Sequence, residues 1–373
     1  MSSPILVTGA TGFIGREVVR GLLMSGRPVL ALARGRDGQT AEQRVAEAVG
    51  VIPDGRLLSV IEGDLTGRGN CLGEAERVDL RETVETVIHC AGDTTLFPDA
   101  MESFRAGHID GPVKMLQWLG SGRLRRWAHL STAYVCGRRA GTMFEGDGDL
   151  GQNFHNPYEQ VKLESEVAIR RIGSRLGIDV RVFRPSIVVG AAPKTSGGNP
   201  SNLFFHFLRM VAALPDLTNS SEVTLRIEAA PRARFNIVPV EYVAAALVTL
   251  AEHSDGARGT FHLVVSDAPT QEAMLAMIAE RFGVRGLSLV DCRRARIKNP
   301  SPLERLVARM LSTYRDYLEQ DVHFDDAGAH RLLDRCGVPP PSLSSQAVGR
   351  LIDLAFEGRP AIQRFPLDLR SYA

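Results

Sequence analysis

The stretch PILVTGATGFIG, at residues 4–15, constrains this chain more than any other. A short apolar run with β-branched residues stops at Gly9, and helical periodicity starts almost at once in FIGREVVRGLLMSG, which closes at Gly26. The same alternation continues. PVLALA, LLSVIEGD, ETVIHCAG, RRWAHLST and IDVRVFRPS read as strands; TAEQRVAEAV, MESFRAGHIDGPVKMLQWL and the segment after NPYEQ read as helices. The strands are apolar throughout rather than alternating, as expected when helices cover both faces of a parallel sheet.

Glycines at 9, 12 and 15, set between the first strand and the first helix, suit a phosphate cradle. They permit a tight turn and close backbone approach, and the helix N-terminus adds its positive dipole. In this context the triplet points to a dinucleotide held on a doubly wound parallel (Rossmann) sheet. The end of the second strand reads ALARGRD. A carboxylate there would suit the ribose of NAD, whereas Arg34, with Arg36 nearby and Arg44 in the next helix, suits the 2′-phosphate of NADP. The plainer reading of these arginines is a solvated loop. The expected cofactor is NADPH.

From about residue 190 the pattern changes to a Gly/Pro/Ser-rich loop followed by the apolar LFFHFLRMVAALPDL. Residues 190–232 are therefore read as a substrate-side insertion in a unit spanning 1–292, with a short helical C-terminal region over 293–373 contributing to the substrate side. Phe204, Phe205, Phe207, Leu208 and Met210 could line an acyl tunnel or simply form core.

A formal net charge of +1 gives no field for nucleic acid or an anionic membrane. Five cysteines are scattered without metal-ligand spacing, and no apolar run is long enough to span a bilayer. No signal peptide is expected, and a cytoplasmic location with reduced thiols is. The basic CRRARIKNP, with Arg293, Arg294, Arg296 and Lys298, reads as a solvated patch rather than a dock for an acidic partner.

NPYEQVKLESE sets Tyr158 four residues before Lys162 on one helix face. A phenol titrates near pH 10 in isolation, and a neighbouring ammonium, helped by an oxidised nicotinamide, would stabilise phenolate and bring it toward acid–base duty near neutrality. Alone, such a pair often only covers a helix surface. Twenty-six residues before Tyr158, however, HLSTAYV ends a central strand in Ser131 and Thr132, where the sheet presents ligands. A hydroxyl there could hold a reacting carbonyl oxygen while Tyr158 delivers the proton.

Taken together, TGATGFIG, GDLT, HCAGDT, STAYV, YEQVK and RPSIVVG resemble, in order, the motifs of the extended short-chain dehydrogenase/reductases over residues 4 to about 265. The resemblance implies that Gly9, Thr11, Gly12, Phe13, Ile14 and Gly15 hold the cofactor. It also implies that Asp64 and Leu65 flank the adenine, Ala91 and Gly92 the cofactor backbone, and Pro185 to Ile187 the nicotinamide. Thr132, Tyr158 and Lys162 look like the active hydroxyl, the acid and the tuning lysine, with Lys162 also on the cofactor and Ser131 in reserve.

LARG…EQRV, LSTAYV, NPYEQVKLESE and FNIVPVEYVAAAL are similar to the thioester reductase and fatty acyl-CoA reductase (male-sterility-like) branch. That implies NADPH-dependent reduction of an acyl thioester, on CoA or an acyl-carrier protein, to aldehyde or alcohol. A long C-terminal domain and fused carrier or adenylation domains are not seen. An NADPH-dependent ketone or aldehyde reductase, or a hydroxysteroid-type dehydrogenase, acting on a free small molecule stays open, as does a redox-inactive NADP-binding sensor. No metal site is expected, and the histidines read as structural, with His155 at most a pocket residue.

Overall fold

A computed structural model describes residues 3–65, 72–190, 203–253 and 259–356. Five strands open the chain: β1 (Ile5–Thr8), β2 (Val29–Ala33), β3 (Leu58–Glu62), β4 (Thr86–His89) and β5 (Arg126–Leu130). With Asp179–Pro185 and Gly259–Leu263 they form a seven-stranded parallel sheet. Across the sheet the order is Gly259–Leu263, Asp179–Pro185, β5, β4, β1, β2, β3. The chain runs outward from β1 to β3, then returns to β4 on the other side of β1. That reversal opens a crevice beyond the carboxyl ends of the central strands, where ligands of such sheets bind.

Helices cover both faces, as the apolar strands require. On one face Val18, Val19 and Leu22 pack with Val243, Leu247 and Leu250; on the other Leu116, Leu119, Ile169 and Ile172 enclose Trp127. Local signals set the helix ends. Thr40 and Gln43 form a reciprocal capping box at Ala41–Val49, which stops at Gly50 in the left-handed conformation. Asn156 caps the 20-residue helix Pro157–Leu176 through the Glu159 amide, with Pro157 in its first turn and Gly177 ending it.

The helical run expected over 101–119 forms with a defect. Met101–Arg105 passes through a π turn, Ala106–Asp110, before Gly111–Leu119. The widened turn carries His108, which is buried.

The first twelve residues of the expected insertion loop after Gly190 lie outside the described residues. Beyond them, Leu203–Thr218 and Glu222–Ala229 join Gln271–Phe282, Arg285–Asp291 and Pro302–Met310 around a second core. Glu222–Ala229 pairs in parallel with Arg285–Asp291. Phe204, Phe205, Phe207, Leu208 and Met210 are at most 4% exposed in that core, so they pack the unit rather than wall an open tunnel. The segment after residue 293 returns to the sheet body, where Val322–Phe324 pairs with Gly141–Met143.

Candidate active site

The glycine turn has the geometry its spacing suggests. Gly9 has φ +71°, and a Cβ there would stand 2.6 Å from the Ala91 amide nitrogen. At Gly15 a Cβ would fall 2.1 Å from the Gly9 carbonyl oxygen, so the helix can start this close to the strand only without side chains. No side chain caps the helix, because Ile14 stands at its N-cap; the Arg16 and Glu17 amides bond back to the Gly12 and Ile14 carbonyls, and the positive end of the helix dipole faces the turn. Phe13 lies under the Arg16 guanidinium at 5.3 Å and close to Gly190, beyond the Ile187–Val189 strand. Thr11 is half-buried beside the exposed Gly12.

The neighbouring strand ends are tied to this turn. The Ala91 amide donates to Thr8 Oγ1 at 3.2 Å, and Thr8 Oγ1 lies 2.8 Å from His89 Nδ1. Gly92 has a local reason as well: a Cβ there would meet the His108 ring at 2.9 Å. Pro185 ends its strand, and Ser186 donates to Asn236 Oδ1 at 2.7 Å, which fixes the path into Ile187. Arg34 is about half exposed and stands 3.6 Å from Asp64, while Arg44 donates to the Arg34 carbonyl. Asp37 turns away into solvent against Arg36. Leu65 approaches Gly111 so closely that a Cβ at 111 would sit 2.3 Å from the Leu65 carbonyl oxygen.

At the end of β5, Thr132 is buried and its Oγ1 accepts from the Tyr134 amide at 3.3 Å, which leaves its own proton to donate. Ser131 Oγ is buried with no hydrogen-bond partner among the described residues. Lys162 Nζ donates to the Leu130 carbonyl at 2.6 Å, so the Tyr158 helix is anchored to the strand that carries both hydroxyls. Tyr158 is half-buried and meets the His108 ring edge-on at 6.2 Å. The structure thus brings Thr132, Tyr158 and Lys162 to the sheet edge that holds the glycine turn.

The expectation for Tyr158 joins Lys162 to an oxidised nicotinamide as the two charges that draw the phenol down. In the protein alone, desolvation around the hydroxyl instead raises it above its ordinary value, and the Glu159 and Asp93 charges add to the shift. Burial lowers Lys162 to about 8 despite the opposing charge of Glu166. The resulting pair is a firmly protonated phenol beside an easily discharged ammonium.

Residues to which the motifs assign no role surround these groups. His89 stacks on His129 at 5.3 Å and on Trp127 at 5.5 Å, and Ser165 Oγ links His129 to the His108 carbonyl. Burial and the nearby Lys162 charge push His89 and His108 down to about 3 and His129 well below the ordinary histidine value. All three are neutral. Arg184 forks onto Glu166 at 3.0 and 2.7 Å, with both side chains at most 3% exposed, and ties its strand to the Tyr158 helix. No local pattern marks these pairs. Only the strand register, which sets His89 opposite His129, could have suggested the first.

Most of the basic cluster is neutralised within the chain: Arg293 pairs with Asp291 and Asp321, Arg294 with Asp291, and Arg296 with Glu228 and Glu319. Among the described residues no group of His, Cys, Asp and Glu could hold a metal ion, and no helix is long and apolar enough to cross a membrane.

A family model described as male sterility protein, an NAD-binding family, matches residues 7–247. The chain belongs to that family. Its membership places it among the extended short-chain dehydrogenase/reductases, as the motifs imply. A carboxylic acid reductase of Segniliparus rugosus is 24% identical over 280 residues, covering 68% of this chain and 23% of that protein. The chain spans about a quarter or less of the curated relatives it first matches. The terminal R domain from the myxalamid PKS-NRPS biosynthetic pathway superposes with a TM-score of 0.76 at 20% identity, over 95% of this chain and 90% of that one. UDP-glucuronic acid 4-epimerase from Bacillus cereus, solved in complex with NAD, gives 0.66 at 16% identity over 94% and 96%. At these identities the two structures establish the fold, and the male sterility family's NAD-binding character agrees with the glycine cradle.

Proposed function

We propose that the chain is an NADPH-dependent reductase of acyl thioesters, presented on CoA or on an acyl-carrier protein and released as aldehyde or alcohol. The observation that carries this reading is the meeting of Thr132, Tyr158 and Lys162 at the sheet edge that holds the glycine cradle. Membership of the male sterility family and likeness to a carboxylic acid reductase and a terminal R domain support the acyl substrate.

The residues present fit a dinucleotide, since the turn closes on the Ala91 and Gly9 backbone with no room for a Cβ at Gly9 or Gly15, which leaves a side-chain-free approach at the start of the helix. Gly9, Thr11, Gly12, Phe13, Ile14 and Gly15 would hold the pyrophosphate, Asp64 and Leu65 the adenine, and Ala91 and Gly92 the backbone. Pro185, Ile187 and Lys162 would hold the nicotinamide end, and Arg34 and Arg44 a 2′-phosphate. Bound there, the nicotinamide would supply hydride to the acyl carbon. Thr132 donates to the carbonyl oxygen and holds it as negative charge develops. Tyr158, kept protonated by its surroundings, gives that oxygen a proton, which is the direction a reduction needs. Lys162 places a positive charge beside the phenolate that results.

The test is a substrate panel followed for both NADPH loss and free thiol. The expected result is one thiol released per first NADPH consumed with an acyl-CoA or acyl-carrier thioester. Turnover of ketones or aldehydes without thiol release from any thioester would replace this reading with a carbonyl reductase acting on a free small molecule. NADPH binding without turnover of any carbonyl would indicate a sensor.

A further inference from the structure

At the start of the Tyr158 helix a buried carboxylate joins three segments of the chain. Glu159 has no exposed surface, and both its oxygens are occupied. The His155 amide donates to Oε2 at 2.9 Å, and His155 Nδ1 lies 3.1 Å from the same atom. Tyr317, from the C-terminal Arg315–Glu319 helix, donates its hydroxyl proton to Oε1 at 2.5 Å, and Asn156 Nδ2 donates to the Tyr317 oxygen at 2.7 Å.

An imidazole nitrogen beside a carboxylate carries its proton, so His155 Nδ1–H donates to Glu159. The ring's other nitrogen, Nε2, has no hydrogen-bond partner among the described residues. The ring packs on Tyr317 at 5.3 Å, and Tyr317 packs edge-on to Tyr134 at 5.1 Å, two residues after Thr132. The other charged pair in this neighbourhood is engaged: Arg138 holds Asp316 and the Phe154 carbonyl. His155 stands just outside the Tyr158 helix, one residue before its Asn156 cap, and its ring connects through Tyr317 and Tyr134 to the Thr132 turn, where the Tyr134 amide donates to Thr132 Oγ1. A carboxylate that fixes one imidazole nitrogen and leaves the other to exchange a proton is the arrangement of a general acid–base dyad.

We propose that His155, oriented by Glu159 and Tyr317, is a second proton-transfer group of this site and protonates the thiol sulfur as it leaves. The inference rests on the thioester reading above. Once the acyl carbon is reduced to a hemithioacetal, its collapse moves protons at two different atoms. The O–H proton returns to the Tyr158 phenolate and the oxygen forms C=O. The C–S bond breaks with its electron pair on sulfur, and the proton on His155 Nε2 passes to that sulfur to give free thiol. The neutral imidazole then regains a proton from water, so each thioester consumes one hydride and one proton. A ketone or aldehyde has no leaving group and needs no such donor.

The experiment is a single turnover of an acyl-CoA by wild type, His155→Gln and Tyr317→Phe. NADPH oxidation, free thiol, reduction of the matching aldehyde and NADPH affinity are read for each. In His155→Gln, NADPH oxidation, aldehyde reduction and NADPH affinity are expected to stay near wild type, while thiol appears roughly 10- to 100-fold later. Tyr317→Phe keeps the ring and loses the hydroxyl, and gives a shorter lag of the same kind. It carries the test should His155→Gln fail to fold. Thiol release that keeps pace with NADPH loss in both variants overturns the proposal. So does an equal fall in all the rates, which would make the cluster a support for Tyr158 and nothing more. Absence of thiol release in the wild type itself overturns the thioester reading and this role together, and is told apart because no variant is needed to see it.

Discussion

Lys162 Nζ donates to the Leu130 carbonyl across 2.6 Å, so one buried side chain sets the distance between the Tyr158 helix and the end of β5. The ammonium is 6% exposed, and burial lowers it from 10.5 to about 8. Between those two values the unfolded chain binds the proton and the folded chain does not. Stability contributed at this position therefore rises with pH across that window. The difference in unfolding free energy between wild type and Lys162→Met is expected to shift in favour of wild type by about 3 kcal/mol between pH 8 and pH 10.5, in denaturant titrations. A pH-independent difference would show that the lysine keeps its ordinary value.

Tyr158→Phe removes only the hydroxyl, and the ring can keep its edge-on contact with His108. Hydride transfer is expected to fall by about 10²- to 10⁴-fold, the usual contribution of a general acid, with NADPH affinity unchanged. Stopped-flow oxidation of NADPH together with a binding titration checks both halves. Retained activity would remove Tyr158 from the role of proton donor.

Arg34 is half exposed and pairs with Asp64 at 3.6 Å, a loose contact that a phosphate could displace. Arg34→Ala is expected to raise KM for NADPH roughly 10- to 100-fold, as loss of a charge-assisted hydrogen bond worth about 1.5–3 kcal/mol requires. KM for NADH should not change. An equal rise for both cofactors would mean that the arginine supports the loop and does not read the 2′-phosphate.

The sheet was legible in the sequence because its strands are short apolar runs punctuated by glycine, and burial on both faces leaves no alternation to confuse with a surface strand. Tyr158, Lys162 and Thr132 were legible because a helix and a strand end translate spacing directly into position. The Phe204–Met210 face was ambiguous in sequence, since a core helix and a pocket wall demand the same residues, and only packing against the Gln271–Phe282 and Pro302–Met310 helices decided it. The Glu159–Tyr317 bond joins residues 158 apart through a C-terminal turn with no motif of its own. The upward shift of Tyr158 in the protein alone was not legible, because spacing reveals a neighbouring charge but not the desolvation around the hydroxyl.

The buried pair Arg184–Glu166 locks the strand that ends in Pro185 to the Tyr158 helix. Glu166→Ala would leave the guanidinium charged and without its carboxylate in a nearly dry site, at a cost of about 3–5 kcal/mol. Glu166→Gln keeps the shape and one acceptor and should cost less. Urea unfolding of both variants at neutral pH orders them, and equal stabilities would mean that water reaches Arg184.

Acid should unsettle this protein through three histidines rather than through its carboxylates alone. His89 and His108 are held near 3 and His129 well below its ordinary value, so each is neutral when folded and takes up a proton when unfolded below about pH 6.5. The unfolded state then binds more protons, and stability falls as pH drops from 6.5 toward 3. His108→Phe is the informative variant: it keeps an aromatic ring against Phe104 and Tyr158, loses the contacts with the Asp93 backbone, and cannot be protonated. Relative to wild type it is expected to be less stable at pH 7.5, and to close that gap by about 1–2 kcal/mol by pH 5. Thermal or urea unfolding at the two pH values measures the change. A gap that stays constant would show that His108 titrates alike in the folded and unfolded chains.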